Sequence, residues 1–273
     1  MQSQLKASVI ISTYNQPKWL ELVLHSYDLQ TESNFELIIA DDGSDERTKA
    51  VVDEFSKKSS IDVIHIWQED EGFQKTKILN KAISASNSEY LIFTDGDCIA
   101  RADFVATHLK LKQTNYALSG GYFKLSEKIS QSITKETVDS QKCFDKQWLL
   151  VKGQPKTFKL NKLTNSKVKA NLLNTLTPTK ATFDGMNVSC FKSDILAVNG
   201  FDERMKYGGE DREVGERMKN NGVRFKQVRY STICVHLHHE RPYKNEDAET
   251  LNLKIRKETK RNKSTFTKFG IKR

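Results

Sequence analysis

Tyr90-Leu91-Ile92-Phe93-Thr94-Asp95-Gly96-Asp97 decides how this chain is read. Residues 90–94 form a short apolar, β-favouring run, the pattern of a strand covered on both faces. The run ends in two carboxylates spaced i, i+2, which point the same way in extended backbone. Two oxygen donors then converge at a strand's carboxyl end, the rim where open α/β sheets hold ligands. Hard oxygen donors suit Mg²⁺ or Mn²⁺, ions that commonly carry phosphate-bearing substrates. A plain Asp-Gly turn after a strand is the simpler alternative.

Working outward, the spacing predicts strands at 7–12, 35–40 and 61–67 and helices at 19–29, 46–57 and 75–85, with Ser44 or Asp45 capping the second helix. Strands alternating with helices argue for βαβ units and a doubly wound, mostly parallel sheet. Past residue 99 the rhythm changes. Helices are predicted at 102–112, 193–198, 213–221 and 245–261. Strands are predicted at 115–123, with Gly120-Gly121 as a bulge, at 182–191 and at 225–235. Residues 124–180 are Lys-rich and weakly periodic, and read as helices or as a flap over a site.

The 273 residues suffice for one large domain or two fused ones. The net charge of +9 concentrates at 152–180 and 252–273. A basic face suits nucleic acid, anionic lipid or a phosphorylated substrate, or is simply solvated. Four widely spaced cysteines contain no CxxC pair, which argues against a zinc site and a disulfide framework and fits a reducing cytoplasm. No apolar run reaches the roughly 20 residues of a membrane span, so the expectation is a soluble or at most peripheral protein.

Four clusters fall at strand ends or loops: Asp41-Asp42-Gly43-Ser44, Asp95-Gly96-Asp97, Gly208-Gly209-Glu210-Asp211, and His236 and His238-His239-Glu240. Taken singly, the first is a good turn and the third a good helix start. Three histidines close together are harder to dismiss, because neutral imidazole is a common metal ligand. In extended backbone His236 and His238 share a face and His239 points away.

The ordered set resembles a family-2 glycosyltransferase with the GT-A fold. Val9-Ile10-Ile11-Ser12-Thr13-Tyr14-Asn15, the DDGS turn and the DxD at 95–97 resemble its first half. The later segments resemble the galactosyltransferase-like region of chondroitin-polymerase-type and β-1,4-galactosyltransferase enzymes. They are Phe183-Asp184-Gly185-Met186-Asn187-Val188-Ser189, Gly200-Phe201-Asp202-Glu203 and Tyr207-Gly208-Gly209-Glu210-Asp211. The resemblance implies a nucleotide-sugar-binding half at 1–100, an acceptor-side and catalytic α+β half at 101–244, and a basic helix and tail at 245–273. It implies Thr13, Tyr14 and Asn15 around the nucleotide, Asp41 at the uracil, and Lys77 or its rival Lys75 near the base or diphosphate. Asp95 and Gly96 would lie at the ribose or sugar. Asp97 would bind Mn²⁺ or Mg²⁺ with His238, or alternatively His236. Asp211 would be the general base, Glu210 would hold a sugar, and Tyr207, Gly208 and Gly209 would form the acceptor side. Trp19 and Trp67 read as core, and Trp148 is open to either role.

The implied reaction is an inverting, metal-dependent transfer from a UDP-sugar to a glycan or lipid-linked acceptor in bacterial surface polysaccharide synthesis. The basic run at 252–273 reads either as a fraying terminal helix or as a contact with the anionic inner membrane face. A nucleotidyltransferase would also use two acids and Mg²⁺, but residues 13–17 lack its Gly-rich basic loop. A nucleic-acid module would need basic residues interleaved with aromatics, and acids fill the expected site instead.

Overall fold

The computed structural model describes residues 4–240 and 246–272. The expected boundary between residues 244 and 245 lies outside them. The first half runs β1 (Ala7–Thr13), α1 (Pro17–Asp28), β2 (Phe35–Asp41), α2 (Glu46–Lys58), β3 (Asp62–Trp67), α3 (Lys75–Ala85) and β4 (Tyr90–Asp95). Then come β5 (Cys98–Ala100), α4 (Phe104–Leu111), β6 (Tyr116–Ser119) and β7 (Gly121–Lys124). Four short helices follow, α5 (Glu127–Gln131), α6 (Lys135–Asp139), α7 (Lys146–Val151) and α8 (Lys167–Leu176). The chain closes with β8 (Val188–Phe191), α9 (Lys192–Ala197), α10 (Glu210–Asn220), β9 (Arg224–Gln227), β10 (Ile233–His236) and α11 (Glu246–Arg261).

Seven strands form one sheet in the order β3-β2-β1-β4-β8-β6-β9, flanked by helices. Its β3-β2-β1-β4 part is parallel throughout, and β8 enters antiparallel between β4 and β6. Every residue of β1 and β2 is buried, as mostly apolar strands covered on both faces should be. The register pairs Thr13 with Asp41 and Ser12 with Asp95. The carboxyl ends of β1, β2 and β4 therefore share one rim.

A second sheet, β5-β10-β7, stands against that rim. Between β4 and β10 the chain passes from one sheet to the other five times, twice within a single predicted strand. The predicted strand at 115–123 is two strands, with β6 in the large sheet and β7 in the small one. Gly120 is no bulge but the crossing point, where a Cβ would lie 2.0 Å from Asn187 Oδ1. Likewise 225–235 divides into β9 and β10, and the strand expected from 182 begins only at Val188. Residues 124–180 hold helices capped by Ser126, Thr134, Asp145 and Ser166.

The C-terminal helix does not fray. Its Asn252, Ile255 and Thr259 are buried, and Thr259 Oγ1 donates to Glu213 Oε1 on α10 (2.8 Å). The tail is stitched down where Asn199 Nδ2 donates to the Thr267 and Lys272 carbonyls.

Candidate active site

A cleft of about 780 Å³ opens at the junction of the two sheets. Asp95 ends β4 and Cys98 begins β5, so the DxD turn is the hinge between the sheets. Gly96 is required there: its N–H donates to the Ser12 carbonyl (2.7 Å), and a Cβ would meet Thr13 Oγ1 at 2.9 Å. Asp95 Oδ1 accepts from Ser12 Oγ (2.6 Å) and from Lys75 Nζ (2.7 Å). Thr13, Tyr14 and Asn15 continue from β1 along the wall. Tyr14 Oη donates to Asp70 Oδ2 (2.8 Å), which ties the β1 loop to the loop before α3.

The opposite wall is the amino end of α10. This helix begins at Glu210, three residues earlier than the periodicity suggested, so Glu210 and Asp211 occupy its first turn. Gly208 (φ +105°) and Gly209 (φ +94°) take left-handed backbone to make the entry. Glu210 Oε2 accepts from the Gly208 N–H (2.9 Å). Asp211 Oδ2 accepts from the Gly185 N–H (2.9 Å), while its buried Oδ1 has no hydrogen-bond partner among the described residues. Burial, then the Glu210 charge, pushes the Asp211 pKa up to about 7, against the pull of Lys75. Burial also raises Glu210. Burial would lower Lys75, but Asp95, Asp211 and Glu210 together hold it well above the usual lysine value. One ammonium thus faces three carboxylates.

At the other end of the cleft Asp97 meets two imidazoles. The β5–β10 register sets His236 opposite Cys98, and the Leu237 N–H donates to the Asp97 carbonyl (2.9 Å). His239 Nε2 lies 3.0 Å and His236 Nε2 3.7 Å from Asp97 Oδ2. Burial would raise Asp97, but the His239 hydrogen bond and both imidazoles hold it below the usual carboxylate range. Burial lowers His236, leaving a neutral ring. Ligand atoms of Asp97, Cys98 and His236 lie within 4.8 Å of one another. The Cys98 thiol is pushed well up by burial, so it stays protonated and donates to Asp97 Oδ1 (3.3 Å). A carboxylate with imidazole nitrogens beside it is a donor set that fits a divalent transition ion such as Mn²⁺.

Several expectations are corrected. His238, not His239, is the histidine turned away: it is exposed and its N–H donates to Ser130 Oγ (2.9 Å). Strand alternation fails because β10 stops at His236. Asp41 is wholly buried, with Oδ1 on the Ser44 N–H (2.8 Å) and Oδ2 3.0 Å from His65 Nε2. Its neighbour Asp42 lines the cleft instead, with its pKa raised to about 6 by burial. Lys77 pairs with Glu71 (3.4 Å) away from the cleft wall that Lys75 occupies. Trp19 is core, but Trp67 is half-exposed, its Nε1 donating to the Ser44 carbonyl (3.0 Å). Tyr207 lines the cleft and packs edge-on against Phe73, with ring centroids 5.7 Å apart.

One residue escaped the sequence reading. Fully buried Asn252 of α11 directs Nδ2 at the carbonyls of Lys206, Tyr207 and Gly208 (3.0, 3.1 and 3.0 Å). It fixes the loop that delivers Glu210 and Asp211. Asn252, Ile255 and Thr259 fall at i, i+3, i+7, a signal that was present among the charges.

A doubly wound sheet ending in a DxD hinge, with an acidic helix start across the cleft, defines a GT-A glycosyltransferase. The chain belongs to glycosyltransferase family 2: the family model for Glycosyl transferase family 2 matches residues 8–168. A second model, the N-terminal domain of galactosyltransferase, matches residues 168–240. The chain is 28% identical over 236 residues to a chondroitin synthase of Escherichia coli, covering 81% of this chain and 33% of that protein. It therefore spans about a third of that relative. Among solved structures it is similar to GalNAc-T7 with UDP, GalNAc and Mn²⁺ (TM-score 0.63, 14% identity, 93% of this chain, 48% of that one). It is also similar to the mannosyltransferase PcManGT from Pyrobaculum calidifontis with GDP-Man and Mn²⁺ (TM-score 0.59, 18% identity, 89% of this chain, 59% of that one). Among the described residues, no helix is long and apolar enough to cross a membrane.

Proposed function

We propose that the enzyme moves a hexose or N-acetylhexosamine from a UDP-sugar to a glycan or lipid-linked acceptor, with inversion, in cytoplasmic assembly of a bacterial surface polysaccharide. The observation that carries this is the unpartnered Asp211 Oδ1 in a cleft shared with the Asp95–Lys75 pair. The chondroitin synthase relative supports a polysaccharide product, and the UDP-bound neighbour supports the donor.

Thr13, Tyr14, Asn15 and Asp42 hold the nucleoside, and Asp95 with Gly96 takes the ribose or sugar. The Lys75 ammonium faces the diphosphate. Asp97 with His239 and His236 would hold Mn²⁺ or Mg²⁺, which neutralises charge on the departing diphosphate. Glu210 accepts from sugar hydroxyls, and Tyr207 offers an aromatic face beside Gly208-Gly209. Asp211 Oδ1 takes the acceptor hydroxyl's proton as its oxygen bonds to the anomeric carbon. The bond from that carbon to the diphosphate oxygen breaks, and UDP leaves with the electron pair. An α-linked donor then gives a β-linkage.

The test is UDP release from a panel of UDP-sugars with Mn²⁺, with and without chelator. Chelator-sensitive release from at least one donor is expected. If no UDP-sugar binds or is cleaved, the assignment fails.

A further inference from the structure

Residues 146–183 contain eight lysines and no acidic residue. The same stretch leaves large aliphatic side chains in solvent. On α8, Val168, Leu172 and Leu176 are 81%, 56% and 65% exposed. They are spaced i, i+4, i+8, so they form a single stripe along the helix. Lys167 and Lys169 are exposed on the same helix.

This stripe is not an end waiting to fold inward. The opposite side of α8 is already pinned: Ala170 is buried, Asn174 Nδ2 donates to Ser231 Oγ (2.9 Å), and Asn174 Oδ1 accepts from the Tyr230 N–H (3.0 Å). Ser166 caps the helix start. The surface is therefore held in place with its apolar side outward. The stretch also reaches the catalytic cleft, because Lys162 Nζ donates to the carbonyl of Tyr122, a residue of the cleft wall (3.0 Å).

We propose that the outer face of α8, with its flanking lysines, is the surface by which this enzyme lies on an anionic lipid bilayer. A helix with aliphatic residues on one side and lysines beside them buries the first at the acyl boundary and sets the second among anionic headgroups. Nucleic acid or an anionic glycan would use the lysines but gives Val168, Leu172 and Leu176 nothing to bury against. The C-terminal basic run is a poorer candidate. Its Arg256 and Lys260 are spent on Glu216 (2.7 and 3.1 Å), its Ile255 is buried, and its exposed Leu251 and Leu253 are two residues apart, on opposite sides of the helix rather than in one stripe. This deepens the lipid-linked reading of the acceptor and rests on it. Vesicle binding is measured without sugar transfer, so a failure here leaves UDP release standing.

The experiment is flotation of the full chain with vesicles of phosphatidylcholine alone and with added phosphatidylglycerol, at low and high salt. Binding is expected only with phosphatidylglycerol, weakened by salt. Leu172→Asp is expected to weaken it about tenfold or more, and Lys169→Gln about fivefold. Both sites are exposed, so chelator-sensitive UDP release should persist in both variants. Equal binding to neutral vesicles, or binding indifferent to Leu172→Asp, overturns the assignment. So does a concentration-dependent dimer that Leu172→Asp abolishes, which would give the stripe to a second copy of the chain.

Discussion

Asp97 and Asp211 are both half-buried aspartates on one cleft, yet their surroundings drive them in opposite directions. Asp97 sits against His236 and His239 and is held ionised. Asp211 sits beside Glu210 with one oxygen unpartnered, and its pKa is pushed up to about 7. One residue type therefore supplies a permanent charge at one end and a proton acceptor at the other. The difference comes from the neighbours, not from depth of burial.

The largest expected effect is at Asp211. Asp211→Asn should lower transfer by about 10²–10⁴-fold, the usual worth of a positioned base. In the wild type the rate should fall as pH drops through about 7, where Asp211 takes up a proton. A pH profile flat from 5 to 8 at unchanged donor affinity would remove Asp211 from the role.

Next comes the choice of histidine. His239→Ala should cut metal-supported activity about 10–100-fold, the scale for disturbing a ligand set. His238→Ala, on an exposed ring, should leave it within about twofold, as surface changes usually do. The reverse order would return the metal role to His238.

Asn252 sharpens the same contrast from a distance. Asn252→Ala strips the half-buried carbonyls of Lys206, Tyr207 and Gly208 of their donor, at a cost of about 1–3 kcal/mol. It should loosen the Asp211 end alone. The expected signature is a lower kcat and a moved acid limb of the pH profile, with Mn²⁺-dependent UDP affinity retained. Loss of that affinity instead would mean Asn252 serves the whole fold.

The smallest effect is on stability. With its pKa raised in the folded state, Asp211 binds protons more tightly folded than unfolded. Its contribution is therefore fully present below the unfolded value and is lost as pH rises through about 7. Asp211→Asn should raise Tm by about 2–4 °C at pH 8 and by less at pH 5. An equal shift at both values would deny that ionisation is the cause.

The same contrast shows what a sequence discloses. β1, β2 and β4 with their helices were legible because strands covered on both faces read as mostly apolar runs, and the half-exposed edge strand β3 was legible from its β-branched residues. The DxD hinge followed from its place at a strand end. His239 was not legible, because alternation holds only while the strand lasts, and β10 ends at His236. Asp41 was named over Asp42 on resemblance alone, because neighbours in a turn differ only in which one the core swallows, and here the core takes Asp41. Residues 124–180 hid short helices set by caps and by packing onto the body rather than by periodicity. α11 read as a charged helix with no buried face, although its buried Asn252 fastens the catalytic loop.

The division of labour between the two aspartates is tested most directly by titrating UDP with Mn²⁺ into Asp97→Ala and Asp211→Asn side by side. The expected result is that Asp97→Ala loses Mn²⁺-dependent UDP binding while Asp211→Asn keeps it near the wild-type level. Unchanged Mn²⁺-dependent binding in Asp97→Ala, or its loss in Asp211→Asn, would contradict the assignment.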